Sequence, residues 1–475
     1  MPEKARRFTF ESYSLDRATS SVLFAYSSEM DDSRLETYVE TLVFPVASEA
    51  WDRVEPSILD AGLRSLHLVL GLSYWKMYCA PEMVLNGFTL TPEQARFWES
   101  LYTNGMGEFF YKNKIDFRGL VKFPSTLSSS GSTGGPERDS PVKSWNDKVK
   151  CLIPIGGGKD SLVTVELVRS LGFDFDLFTL GTSSIQNQTA EAVGKNPLVV
   201  TRILDKKMLE LSKSGQVYNG HIPITAVYQF TGVLLGLLAG YRYIPFSNER
   251  SASQGNLDYL GQEINHQWSK SEDAETLIRN YVEKYITPEV TPFSLLRPLS
   301  ELAIVERFSH HPKYFPVFSS CNRNFVIGSL QPQAERGAYW CGGCPKCAFV
   351  FAMLSAFISK DELVGIFGKD LYADASLLQL YKDLLGRGTC KPFECVGTPD
   401  EMAVAMHKAS ERGEYAGEVI MGYFESEVAP TIGDFVALEK ESLAVGDTST
   451  LPTIFQSLFP SVIPRLDRGT SRSPG

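Results

Sequence analysis

Three consecutive glycines, Gly156, Gly157 and Gly158, run directly into Lys159, Asp160 and Ser161, between an apolar stretch over 149–155 and helical spacing over 160–171. A strand that turns through glycines into a helix brings backbone N–H groups and the positive end of the helix dipole to one place. That place suits an anion. Lys159 adds a charge-assisted donor, Ser161 a hydroxyl, and Asp160 a carboxylate able to hold magnesium between phosphate oxygens, so the set suits a pyrophosphate better than a lone phosphate. A glycine-rich turn without a ligand is the plain alternative. The spacing is neither the Walker pattern nor the dinucleotide Gly-x-Gly-x-x-Gly.

Other groups carry chemistry as well. Cys341, Cys344 and Cys347 sit within seven residues, and Cys321 makes a fourth thiol. Four thiolates with Cys-x-x-Cys spacing suit a structural zinc; a packing cluster, or thiols acting as acid and base, are the other readings. Asn248, Glu249 and Arg250 follow an apolar run over 243–246, where the carboxyl end of a parallel strand would place them beside a ligand. Arg250 could then bind a carboxylate or phosphate and Glu249 assist magnesium, unless the loop is a solvated ion pair. Glu394 and Cys395, between Pro392 and Gly397, are candidate proton-transfer groups, although Cys395 could equally be packing. His221, His310 and His311 are weaker candidates.

The segment 156–161 resembles the phosphate loop of the PP-loop ATP pyrophosphatases, usually Ser-Gly-Gly-x-Asp-Ser, with Gly156 here in place of the serine. Arg297-Pro-Leu-Ser-Glu301 is similar to the later Pro-Leu segment of those enzymes. Taken in order with 247–253, Cys321-Asn-Arg-Asn324, 340–347 and 391–397, the motifs resemble the bacterial UDP-N-acetylmuramoyl-L-alanyl-L-glutamate epimerase family of peptidoglycan precursor synthesis. The resemblance implies a PP-loop (HUP-type) α/β domain that uses ATP and magnesium, with a UDP-muramoyl dipeptide as substrate. It further implies activation of the glutamate as an adenylate, inversion of the α-carbon, and release of AMP and pyrophosphate. Adenylation makes chemical sense: it removes the charge that opposes a carbanion at the α-carbon and lets the carbonyl delocalise the enolate. A PP-loop amide ligase or sulfur transferase is the alternative enzyme, and a nucleotide sensor without turnover a third reading. Residue 2 is proline, so no N-terminal nucleophilic cysteine for a glutaminase is expected.

Alternating strand and helix patterns over 148–330 predict parallel strands with helices on both faces. Residues 1–123 read as an N-terminal α+β module, in which Thr91, Pro92 and Gln94 form a helix start with a capping box. A Ser/Gly/Pro tract over 124–147 reads as a flexible linker, 331–460 as a helix-rich region bearing the cysteine cluster, and 461–475 as a disordered tail. Composition sets limits on the rest. The 475 residues carry 46 Lys plus Arg against 56 Asp plus Glu, a net charge of -10, which disfavours nucleic acid as a partner. The uncharged run 222–241 has the length of a membrane span but is diluted by polar residues and proline, and reads as a buried helix. No signal segment is evident, and a cytoplasmic location is expected.

Overall fold

A computed structural model describes residues 3–126, 149–325, 339–388 and 391–459. Nearly all of the expected linker and the whole expected tail lie outside the described residues. The strands are β1 Ala5–Asp16, β2 Ser21–Met30, β3 Leu35–Val43, β4 Glu82–Leu85, β5 Lys150–Pro154, β6 Asp174–Leu180, β7 Leu198–Ile203 and β8 Tyr243–Phe246, then a hairpin of β9 Leu257–Tyr259 and β10 Gln262–Ile264, and β11 Thr291–Ser294. Nine of them form one sheet in the order β11-β8-β5-β6-β7-β3-β2-β1-β4. The first five are parallel; β3 joins β7 antiparallel, β2 and β1 continue as a meander, and β4 runs parallel to β1.

Alternation along the parallel strands divides their side chains between two cores. Leu152 and Phe178 face one that holds the N-terminal half and the helix Ile224–Ala239. Cys151, Ile153, Phe175 and Leu177 face another, completed by the C-terminal helices Pro345–Ser355 and Pro399–Glu411. Helices therefore cover both faces, as the strand and helix alternation predicts. The run 222–241 is that buried helix Ile224–Ala239, and no helix among the described residues is long and apolar enough to cross a membrane. The capping box at Thr91 is formed: its Oγ1 accepts from Gln94 N at 3.3 Å, and Gln94 Oε1 accepts from Thr91 N at 3.0 Å.

The N-terminal half is not a separate module beside the parallel sheet. Thr41 to Val43 of β3 pair with Ile203 to Thr201 of β7, so strands from both sides of the Ser/Gly/Pro tract share one ladder. A buried ion pair locks this seam. Arg202 Nε meets Glu40 Oε1 at 2.5 Å, and Arg202 also donates to Ser73 Oγ at 3.1 Å. Removing one partner of such a pair strands the other charge in the core, at a cost of about 3–5 kcal/mol. Glu40→Ala is therefore expected to destabilise the protein by that amount in urea unfolding. A change below about 1 kcal/mol would show that the seam does not depend on the pair.

Candidate active site

In a parallel sheet, the loops leaving the carboxyl ends of neighbouring strands converge. Here β5, β8 and β11 are adjacent, and the glycine loop, Ser247 to Arg250, and Leu295 to Glu301 leave their ends together. Only Gly157 strictly requires glycine. Its φ is +91°, and an added Cβ would lie 2.3 Å from Ile185 Cγ2. Gly156 faces open space, and Gly158 starts the helix Lys159–Ser170 without any side-chain cap, which leaves the first backbone donors for a ligand. Ser161 Oγ donates back to Gly158 O at 3.0 Å.

Lys159 has a different posture from the one its position suggests. Rather than reaching out toward an anion, its ammonium is buried and donates to the Asp160 and Glu301 carboxylates. Burial opposes the charge, but these two carboxylates outweigh it and hold the ammonium above the ordinary lysine range. Lys159 thus ties the loop to the helix Glu301–Ser309. Asp160 remains 25% exposed and within reach of a cation at the helix start.

From Glu301 the charged chain continues into the C-terminal region. Lys346 Nζ lies 3.9 Å from Glu301 Oε1 and donates to the backbone carbonyl of Cys395. Lys270 Nζ donates to Cys395 Sγ at 3.3 Å, and His266 hydrogen-bonds the same thiol. Burial pushes the thiol up, yet the Lys270 ammonium and then His266 outweigh it and bring Cys395 down to about 6. His266 is in turn held up at about 9, burial being overcome by Cys395 and Glu108. The segment is firmly seated: Glu394 N donates to Pro392 O at 2.8 Å, and Val396 N to Glu394 O at 2.9 Å. At Gly397 an added Cβ would press on Glu401 Oε2 at 2.6 Å.

The structure thus joins Cys395 and the glycine loop through Lys346, Glu301 and Lys159. Glu249 is buried near Lys270 and acts on its charge. Arg250 departs from the expectation of a carboxylate or phosphate contact. Its guanidinium points to the carbonyls of Ala444 and Glu441, at 3.4 and 3.5 Å, because the chain turns at Glu249 and the C-terminal segment lies against it. Arg297 is structural, pairing with Glu275 at 2.8 Å and donating to Glu249 O at 2.7 Å. His310 and His311 line a cavity of about 380 Å³ with Glu166 and Arg307, toward the far ends of the two helices whose starts carry Lys159 and Glu301. Sequence reasoning missed Lys270, Lys346, His266 and Glu108. The His266 to Lys270 spacing of four and the place of Lys346 inside the cysteine motif are the only signals available; Glu108 has none.

The four cysteines Cys321, Cys341, Cys344 and Cys347 bring their sulfurs within 4.8 Å of one another. The separations are 3.9 Å for Cys321 to Cys344, 3.6 Å for Cys341 to Cys347 and 3.4 Å for Cys344 to Cys347. A tetrahedron with Zn–S bonds of about 2.3 Å has edges of about 3.8 Å. The donor set fits zinc. Hydrogen bonds from Cys321 and its neighbours hold Cys341 below an ordinary thiol, and the same contacts hold Cys347 above it, since thiolates this close cannot all ionise without a cation. The cluster abuts the glycine loop: Ser319, two residues before Cys321, donates its N–H to Gly157 O at 2.9 Å.

Fold and centre together define a mixed α/β protein in which a glycine-rich loop meets a cluster of buried charged side chains at the strand ends. The chain belongs to the MurL family: the family's N-terminal domain model matches residues 1–295 and its C-terminal domain model residues 317–436. A relative from Xanthomonas oryzae pv. oryzae, named UDP-N-acetyl-alpha-D-muramoyl-L-alanyl-L-glutamate epimerase, is 36% identical over 425 residues, 90% of this chain and 90% of its own length. Proteins of the same name from Micromonospora sp. and Salinispora tropica are 35% and 36% identical, covering 87% and 86% of this chain and 89% and 87% of their own lengths.

Proposed function

We propose that this chain inverts the α-carbon of the terminal glutamate in UDP-N-acetylmuramoyl-L-alanyl-L-glutamate, using ATP and magnesium, in cytoplasmic peptidoglycan precursor synthesis. The names of the relatives support the substrate and the epimerisation. The observation that carries the chemistry is the chain of contacts from the glycine loop through Lys159, Glu301 and Lys346 to the backbone carbonyl of Cys395, whose thiol accepts from Lys270.

In this reading the glutamate α-carboxylate attacks the α-phosphorus of ATP, an acyl–phosphate bond forms, and pyrophosphate leaves. The free backbone donors at Gly158 and the helix start receive the departing phosphates. Asp160 would hold magnesium, which neutralises phosphate charge when bound. The α-C–H bond then breaks: its proton goes to the Cys395 thiolate and its electron pair into the enolate. An acid on the opposite face, replenished from solvent, delivers a proton to the α-carbon, the Cys395 thiol loses its proton to solvent, and water cleaves the anhydride to the D-glutamyl carboxylate and AMP. The four clustered thiolates would hold a structural zinc that steadies the loop through the Ser319 to Gly157 hydrogen bond.

Incubation with the dipeptide substrate, ATP and magnesium in deuterated water tests this directly. The D-glutamyl product is expected to carry deuterium at the α-carbon, with one AMP and one pyrophosphate per adenylation. Retained protium would overturn the proton transfer, and ADP with orthophosphate would overturn the adenylate.

A further inference from the structure

Glu108 lies on the short helix Gly107–Asn113 of the N-terminal half, far in sequence from the residues it meets. Its Oε2 is hydrogen-bonded to Nδ1 of His266 and lies 3.6 Å from Nδ1 of His221. Oε1 is taken by Lys112, one turn further along the helix. The two imidazole rings are 4.6 Å apart, and side-chain exposures are 6% for Glu108, 14% for His266 and 21% for His221. An imidazole held by a carboxylate through Nδ1 has its orientation and tautomer set, and offers its other nitrogen on the opposite side. His266 also acts on the Cys395 thiol, by a hydrogen bond and by charge.

We infer that Glu108 is a positioning residue for proton transfer: it holds His266 as an oriented imidazolium, and His266 in turn keeps Cys395 ionised and exchanges its proton. The N-terminal half then contributes directly to the reacting centre. The charges around the imidazole agree with the geometry. Burial, followed by the nearby His266 charge, holds His221 down at about 3, so only one of the two imidazoles is charged. Burial raises Glu108, but the His266 hydrogen bond outweighs it and leaves the carboxylate at about 2. The groups facing this chain are Lys112 and His221 around Glu108, Lys76 beyond His221, Lys270, Lys346 and Lys391 around Cys395, and Glu249 beside Lys270. The inference rests on Cys395 being the proton acceptor proposed above, but its test reads the thiol itself and needs no turnover.

The rate of Cys395 alkylation by iodoacetamide, followed across pH in the full-length protein by peptide mass spectrometry, reports its ionisation. The wild-type rate is expected to reach half its maximum near pH 6, the value to which the thiol is brought down. In Glu108→Gln the midpoint is expected to rise by at least about one pH unit, a tenfold loss of thiolate well below the midpoint. Glu108→Asp, which keeps the charge, should restore most of the shift. An unchanged midpoint in folded Glu108→Gln overturns the inference. Should that variant fold poorly, His266→Gln provides the same reading, and an unchanged midpoint there overturns it equally. If the chain proved to catalyse a different reaction, the midpoint shift would still be observed, so the two ideas fail separately.

Discussion

Replacing Cys395 with alanine is expected to lower epimerisation turnover by about 10²- to 10⁴-fold, the usual contribution of a positioned acid–base group, while substrate-stimulated ATP–pyrophosphate exchange persists. The two halves of the reaction use different parts of the centre. In the proposed reaction adenylation would call on the glycine loop and the start of the helix Lys159–Ser170, whereas the thiol lies beyond Glu301 and Lys346. The side chain of Cys395 is half-buried, and its backbone is seated by Lys346 and by the turn through Glu394, so truncation at Cβ leaves that frame in place. The pH dependence has a definite sign. The active form is the thiolate, held at about 6, so wild-type turnover should be level above that value and fall tenfold per unit as the pH drops below it. Loss of exchange together with epimerisation would instead assign Cys395 to adenylation or to folding.

The second large effect concerns the four clustered thiols. Purified protein is expected to contain one zinc per chain, and Cys347→Ser to lose it. Structural zinc sites supply binding free energies of about 10–16 kcal/mol in small domains, comparable with the whole stability of an ordinary domain. Even a loss of about 5 kcal/mol would lower the melting temperature by on the order of 10–20 °C. Because Ser319 links the cluster to Gly157, exchange activity should fall as well. Cys79→Ala, a buried thiol outside the cluster, serves as the control with zinc content unchanged. Metal-free protein with an unaltered melting temperature would favour the packing reading of the cluster.

The elements that could be read in advance are those whose cause is local. The strand into the glycine loop, the helix after it, the capping box at Thr91 and the buried helix Ile224–Ala239 each carry their pattern within about a dozen residues. What escaped reading depends on distant chain. The β3 to β7 pairing joins residues about 160 positions apart and leaves no periodic trace. β11 is four residues with a proline, too short for alternation to register. Within the centre, the glycines stood out because they run from a strand pattern straight into a helix pattern, and Cys395 because it lies between Pro392 and Gly397. Glu108 and His266 are ordinary residues made important only by tertiary placement. Arg250 shows the converse: a charge at a strand end is suggestive, but which neighbour it meets is decided by the segment packed over it.

The ladder shared by β3 and β7 has a consequence for how such a gene can change. The apolar interior on one face of the sheet is shared across the Ser/Gly/Pro tract, since Leu152, Phe178 and the helix Ile224–Ala239 pack with Phe8, Phe24 and Trp98. Recombination that exchanged one side alone would expose that interior and split the ladder. The two sides are therefore inherited and refined as one unit, and a break in the tract would be tolerated only where both fragments are made together and can reassemble.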